Sequence, residues 1–570
     1  MEKQNTEPYQ VVWPSGKRTI REQPLAKRLD NLNGKTIAEL WSWTFKGDVM
    51  FRAFEDELKE RYPDVKLISW KEFGEIHGAN EREVLAELPD KLKKFGVDAA
   101  ITGVGGGASG AAADVRTSIL VEKLGIPTVT IMTDAFASQG KLTAKGLGMS
   151  NLPLTVHPGH PLLTADEKVY ENTRVIMTDE VVKGLTVQPP EAEEIHEPDM
   201  RDIIFSGTFE EVNEYFYEHE WTDALPVVPP TIEKVEEFLK YTDEPEDRII
   251  GIIQPDQREV TIWNIAVNGV MSGCRPEHMP VLVAIIKAML KPEFQQEHLG
   301  HSPGMEEMII VNGPIIKELG FNYTQGVMRP GFKANTVIGR FWRMYLHNVA
   351  TFVPHKADKS CFGDSFRVVV AENEDYAESV GWPTLAMDQG FRKNENVVTI
   401  TSCTEKTQAI QVGADTAEGV LENIEKRMAD NNLFIEFFFR GMRTRPIVIL
   451  PPAVVKILAD AGYTKEMVKK HFYEHARVDL RQLGTAALTR FYQGIDQGNW
   501  PEQIGTTKDL DRKVQMVSGP DDFQVVISGD TGRDHVLICA ENGFMGYPVN
   551  QKIETPKNWE DLLRHTEGKK

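Results

Sequence analysis

Cysteine is scarce in this chain: Cys274, Cys361, Cys403 and Cys539 are the only four in 570 residues, and they lie far apart. That excludes a disulfide scaffold and any cysteine motif with metal-type spacing. Long apolar runs are also missing. No stretch of 18 apolar residues occurs, and the opening MEKQNTEPYQ has no apolar core of the signal-peptide kind. Positive charge is in deficit, with 64 Lys and Arg against 85 Asp and Glu, a formal charge of −21. A surface of that sign disfavours nucleic acid and anionic membranes as partners. Low-complexity tracts and convincing internal repeats are absent as well. These absences point to a cytoplasmic protein, expected as a homo-oligomer, that acts on a small molecule. An anionic substrate would have to be held by a local basic or backbone-lined pocket against the global field.

What is present is an ordinary globular composition, 41% hydrophobic and 26% charged. The length suggests about two to four domains. Residues 1–34 are polar and proline-containing, and read as an N-terminal arm. From 35 to 185, strand and helix patterns alternate: KTIAELWSWTF, a helix striped by Phe51, Phe54, Leu58 and Tyr62, VKLIS, then a helix striped by Val84, Leu88, Leu92 and Phe95. Such alternation predicts an α/β fold with a doubly wound, mainly parallel sheet. Residues 186–204, rich in proline and acid, read as a linker. A mixed α/β domain is expected over 205–403 and a further α/β portion over 404–570.

The most informative stretch is ITGVGGGASGAAADVRTSILVEKLGIPTVTIMTDAF, Ile101 to Phe136. An apolar run breaks into Gly105, Gly106 and Gly107, an amphipathic helix follows, and a second apolar run begins at Pro127. This is strand, glycine turn, helix, strand. Backbone N–H groups and a helix N-terminus face the crevice at such a turn, where ligands bind in open α/β sheets. The spacing is not the dinucleotide fingerprint. Parallel strands deliver their following loops to one edge, so Lys46, Asp48, Gly105, Gly106, Gly107, Ser109, Asp134, His157 and His160 are expected to converge. Asp134 reads equally well as a helix cap. His157 and His160, separated by Pro-Gly, have no third ligand visible in the sequence, and no metal site is assigned.

The order glycine turn, helix, Glu-Lys-Leu-Gly-Ile-Pro-Thr resembles the UGSC family of (seleno)proteins, named for a selenocysteine-Gly-Ser-Cys motif at the turn. Counting back from Glu122 places that motif on Gly107-Ala108-Ser109-Gly110, where only the serine matches. Both redox positions are glycine, so thiol or selenol chemistry does not carry over to this loop. WTDALPVVPPT (Trp221 to Thr231), MSGCRPEHMP (Met271 to Pro280), IVNGPIIKELGFN (Ile310 to Asn322) and AGYTKEMVKKHFYEHAR (Ala461 to Arg477) resemble long members of the group. The resemblance implies architecture first, and reductive or eliminative carbon–heteroatom chemistry second.

Beyond the turn, Cys274 and Glu372 are candidate catalytic groups. Pro276 suits the first position of a helix, which makes Arg275 its cap and sets Cys274 just ahead. Helix dipole and guanidinium would lower the thiol pKa; burial as a small apolar residue is the competing reading. Glu372 ends an apolar run starting at Phe366, and suits a general acid or base if buried. Arg329, Lys333 and Asn335 form a basic loop–helix junction suited to anion binding, with Asn335 as the expected helix cap. The expected protein is thus an enzyme, a lyase or oxidoreductase, acting on a small carboxylate. The alternative is a non-catalytic binding or scaffold subunit that has lost its redox residues. No cofactor is named by the sequence.

Overall fold

Val, Ile and Thr crowd the runs that become the central strands of the N-terminal domain, and every residue of Ala99–Gly105 and Thr128–Thr133 is buried. Strands covered on both faces need such near-continuous apolar runs, because no face is left for polar alternation. The computed structural model describes residues 8–78, 80–190, 196–296, 304, 306–363, 368–407, 410–430, 444–497, 507–541 and 547–567. In the N-terminal domain the elements are β1 (Tyr9–Val12), β2 (Thr36–Trp41), α1 (Gly47–Arg61), β3 (Lys66–Ile68), α2 (Glu81–Phe95), β4 (Ala99–Gly105), α3 (Ala108–Lys123), β5 (Thr128–Thr133), α4 (Ala137–Gly146), β6 (Leu154–His157), α5 (Asp166–Asn172) and α6 (Thr178–Thr186).

Strands β3-β2-β4-β5-β6 form one sheet in that order, every pair parallel. One face packs against α1, α5 and α6 through Phe51, Phe54, Val169 and Val181; the other packs against α2, α3 and α4 through Leu88, Val115, Ile119 and Ala144. The doubly wound α/β fold expected from the sequence is what the chain adopts. Strand order reverses between β2 and β4, the position where open α/β sheets leave a crevice at the carboxyl ends of their strands. Helix α3 comes close to the sheet because its first turns are alanine and glycine. A buried chain of hydroxyls, Thr102 to Ser118 to Thr130 (the latter pair 2.7 Å apart), joins it to β4 and β5.

Residues 8–34 form a strap. Strand β1 pairs antiparallel with β7 (Ile203–Gly207), and Val11 and Val12 enter the core of the following region. Arg18 binds Asp256 through two hydrogen bonds of 2.9 and 3.0 Å. The chain then crosses to the N-terminal domain. There Arg28 meets Glu122 at 2.7 Å, an ion pair 2% and 0% exposed, while Glu122 also accepts from Ala26 N and Thr128 N.

The rest of the described chain builds on a mixed sheet. Its strands run in the order Val370–Ala371, Glu306–Asn312, Val397–Lys406, His535–Glu541, Ile447–Leu450 and Gln524–Ile527, with Ile410–Gln411 and Val549–Lys552 attached at the side. The helices Ile262–Met271, Met279–Met289 and Lys333–Asn348 share one core cluster. Ala417–Asp430, Pro452–Asp460 and Lys465–His475 share another. The strand Val397–Lys406 runs across the 403/404 division drawn from sequence and pairs with strands from both sides of it. Among the described residues no helix is long and apolar enough to cross a membrane.

Candidate functional site

The loops that follow β2, β4, β5 and β6 meet at one edge of the parallel sheet. Ser42 N and Oγ both reach Gly103 O, at 2.9 and 3.2 Å, so the first loop is fastened to β4. Trp43, Phe45 and Lys46 in that loop have φ of 54°, 56° and 57°. Left-handed backbone is rarely adopted by bulky residues, and such strain gathers at functional sites. The ring of Phe45 lies over the glycine turn. A Cβ on Gly106 would fall 2.6 Å from that ring, one on Gly107 3.1 Å from it, and one on Gly105 2.3 Å from Met132 Sδ. The glycines are therefore required by close approach. Gly107 itself has an extended backbone, φ −141°, as the cap of α3.

Beneath that turn lies an arrangement that the sequence reading did not reach. Ser109, in the first turn of α3 and 6% exposed, has its Oγ 3.2 Å from His77 Nε2. His77 Nδ1 lies 2.8 Å from Glu81 Oε2, and the other oxygen of Glu81 accepts from Arg116 Nη2 at 3.2 Å. With the carboxylate accepting, Nδ1 carries the hydrogen, and Nε2 is left to accept from the serine hydroxyl. Serine, imidazole and carboxylate are thus in register for proton transfer, next to N–H groups that lack intrahelical acceptors. His77 comes from the irregular segment before α2. Its only mark in the sequence is the four-residue spacing to Glu81.

The far side of the crevice is lined by β5 and β6. Asp134 accepts from Ala135 N at 2.7 Å and from Gly159 N at 3.1 Å, tying the two loops together. His157 is fully buried with Nδ1 3.2 Å from Gly159 O. Burial lowers its pKa from the usual imidazole value, opposed by the Gly159 carbonyl and the Asp134 charge. His160 sits edge-on to Phe45, ring centroids 5.4 Å apart. His157 Nε2 and His160 Nδ1 are both buried without a hydrogen-bond partner, and such orphan nitrogens are costly unless a ligand or water completes them. Asp114, fully buried further along α3, has neither oxygen in hydrogen-bond geometry. Burial raises its carboxyl well above the usual range, with the Ser42 hydroxyl opposing.

Gly105, Gly106, Gly107, Ser109, Asp134 and His157 therefore stand together, as expected of one sheet edge. Lys46 is turned away: its Nζ donates to Thr164 O at 2.7 Å and pairs with Asp166 at 2.7 Å. Asp48 is exposed and borders a different cavity of about 260 Å³ beside Glu39 and Arg52.

The remaining candidates lie in the second region. Arg275 does cap the turn Pro276–His278, but Cys274 is a core residue 9% exposed, its Sγ 3.4 Å from Val337 O. Burial drives its thiol pKa up, and Arg340 and Lys333 only partly oppose this, so the expected lowering is reversed. Asn335 is not the cap of its helix; Lys333 opens that helix and Phe332 caps it. The Asn335 amide is fully used, accepting from Asn322 N at 2.8 Å and donating to Asn322 O and Val369 O at 3.0 and 2.8 Å. It holds no substrate-facing group. Arg329 and Lys333 are exposed beside it.

Glu372 is 1% exposed and borders a cavity of about 630 Å³ shared with Ile316, Trp382 and Met387. Its carboxyl is raised by burial, yet it already accepts from Asn312 Nδ2 and Leu385 N, each at 2.7 Å. The strand expected from Phe366 is described only over Val370–Ala371, and its first two residues lie outside the described residues. The loop carrying exposed Cys361 touches the parallel domain: Lys359 Nζ meets Ser138 Oγ at 2.7 Å, and Ser138 Oγ donates to His355 O at 3.1 Å.

Residues 10–187, the strap and the whole parallel domain, match the model of the UGSC family. The N-terminal domain belongs to the UGSC family. No curated protein and no solved structure matches the chain. In this UGSC-family domain the two motif positions that would carry sulfur or selenium, Gly107 and Gly110, cap and open α3, and none of the four cysteines falls within residues 10–187.

Proposed function

We propose that the UGSC-family domain is the catalytic part of an enzyme that eliminates a heteroatom group from a small carboxylate, by acid–base rather than thiol chemistry. The observation that carries this reading is the Ser109–His77–Glu81 relay at the switch point of the sheet. The substrate carboxylate docks on the first N–H groups of α3, where the helix dipole favours negative charge. His77 Nε2, relayed by the Ser109 hydroxyl, removes a proton from the carbon next to the carboxylate. The C–H electron pair becomes the new double bond. The bond to the heteroatom breaks with its own pair, and the leaving group takes the proton that His77 has gained, handed back through the Ser109 hydroxyl. Glu81 keeps His77 in the accepting tautomer, and Arg116 steadies Glu81. Phe45 covers the glycine turn and must swing away for the ligand to enter.

A second reading has one observation in its favour. Glycine at both redox positions of the motif also suits a domain that binds its ligand without converting it. A panel of small β-substituted carboxylates, followed by NMR with the full-length protein, separates the two. The proposal expects at least one carboxylate to bind, to be converted to an unsaturated acid, and to lose both properties in folded Gly106→Val. Binding without conversion would favour the non-catalytic reading, and binding retained in Gly106→Val would place the site elsewhere.

A further inference from the structure

Two helices in the C-terminal part of the chain hold a cluster unrelated to the crevice. His471 and His475 are four residues apart on the helix Lys465–His475, so both imidazoles rise from one face. Their rings are stacked with centroids 4.3 Å apart and planes 28° from parallel. Glu425, on the packed helix Ala417–Asp430, points at the same place, its Oε2 3.0 Å from His471 Nε2. One ligand-type atom from each of the three lies within 4.8 Å of the other two.

We propose that Glu425, His471 and His475 bind one divalent transition-metal ion of the zinc class. Two imidazole nitrogens and one carboxylate oxygen are the donor set such ions prefer, whereas magnesium and calcium take oxygen throughout. Donors around a tetrahedral zinc ion, bound at about 2.0–2.1 Å, lie roughly 3.3 Å from one another. The Glu425–His471 separation already matches, and small side-chain rotations bring in His475. An ordinary ion pair accounts for less. Glu425 Oε2 is buried and not in hydrogen-bond geometry with any donor, although an imidazole nitrogen is 3.0 Å away. A carboxylate oxygen and an imidazole nitrogen this close, yet out of line for a hydrogen bond, suit a shared cation. His475 is exposed at the rim, which leaves the fourth position to water. Three protein ligands and one open position make a site that clamps the two helices and remains reachable from solvent.

The test uses full-length protein stripped with chelator and titrated with Zn²⁺, then with Co²⁺, by calorimetry and visible absorption. One equivalent should bind, Co²⁺ should give a d–d band of a low-coordinate N/O site, and excess Mg²⁺ should not displace either ion. His475→Gln, at an exposed position that the fold does not need, should weaken binding by more than about 100-fold, since losing even a group that only orients a ligand costs about 10–100-fold. Glu425→Gln should do the same. Binding unchanged in both variants would assign the ion to other groups such as Cys361 and overturn the site, and so would absence of binding in the parent protein.

Discussion

Glu39 shows how burial sets the behaviour of a single group. It lies on β2, 4% exposed with Oε1 unpartnered; burial and the neighbouring Glu55 charge push its carboxyl up to about 8, against a hydrogen bond from the Trp70 backbone. An acid with a raised folded-state pKa binds its proton more tightly when folded than when unfolded. Its stabilising share is therefore complete below about pH 4.5 and is lost as pH rises through about 8, at roughly 1.4 kcal/mol per pH unit. Glu39→Gln should flatten that slope and leave the protein more stable at pH 7, by up to about 3 kcal/mol. Urea unfolding at pH 5 and pH 7 measures it. Cys274 obeys the same physics. Its helix dipole and arginine were legible in the sequence, but its depth in a core cluster, built from segments as distant as Val11 and Trp559, was not. Iodoacetamide should label exposed Cys361 well before Cys274; preferential labelling of Cys274 would contradict its placement.

At the scale of the element, the glycine turn could be read from sequence because three glycines between an apolar run and a helix mark a place where the chain turns tightly. The reason each is glycine could not, since it depends on Phe45 and Met132 arriving from other strands. The same limit hid His77. A histidine in an irregular segment becomes a partner for Ser109 only when β3 and α2 flank β2 and α3. Gly106→Val would fill the space over the turn that the ligand takes when Phe45 swings away, so the crevice should lose ligand while β4 and α3, packed independently of the turn, stay folded. Unchanged far-UV circular dichroism alongside lost binding is the expected pair of results. A variant that binds as the parent does would mean that the turn is only a connection.

Across the whole molecule, the strap changes what residues 8–34 do. Read as an arm, they join β1 to β7 and send Arg28 into the N-terminal domain, fastening it to the region that follows. The polar, proline-containing composition concealed this, because the apolar contribution is only Val11, Val12 and a few neighbours. Arg28→Ala would strip a buried carboxylate of its counter-charge, and should cost about 3 kcal/mol or more. Equilibrium unfolding of the full chain gives the value; a loss below about 0.5 kcal/mol, the range of ordinary surface changes, would mean that the strap does not hold. The division at residue 403 failed to foresee a strand crossing it, because pairing between distant segments leaves no local mark.

The central claim is that His77, aligned by Glu81, moves a proton at Ser109 in the switch-point crevice. The measurement that tests it most directly is kcat and KM of His77→Ala and Ser109→Ala on the carboxylate that the parent protein converts. The account predicts kcat lower by about 10²–10⁴-fold in His77→Ala, a comparable or smaller fall in Ser109→Ala, and KM nearly unchanged in both, because the anion rests on backbone N–H groups. A His77→Ala protein that turns over at the parent rate would contradict it.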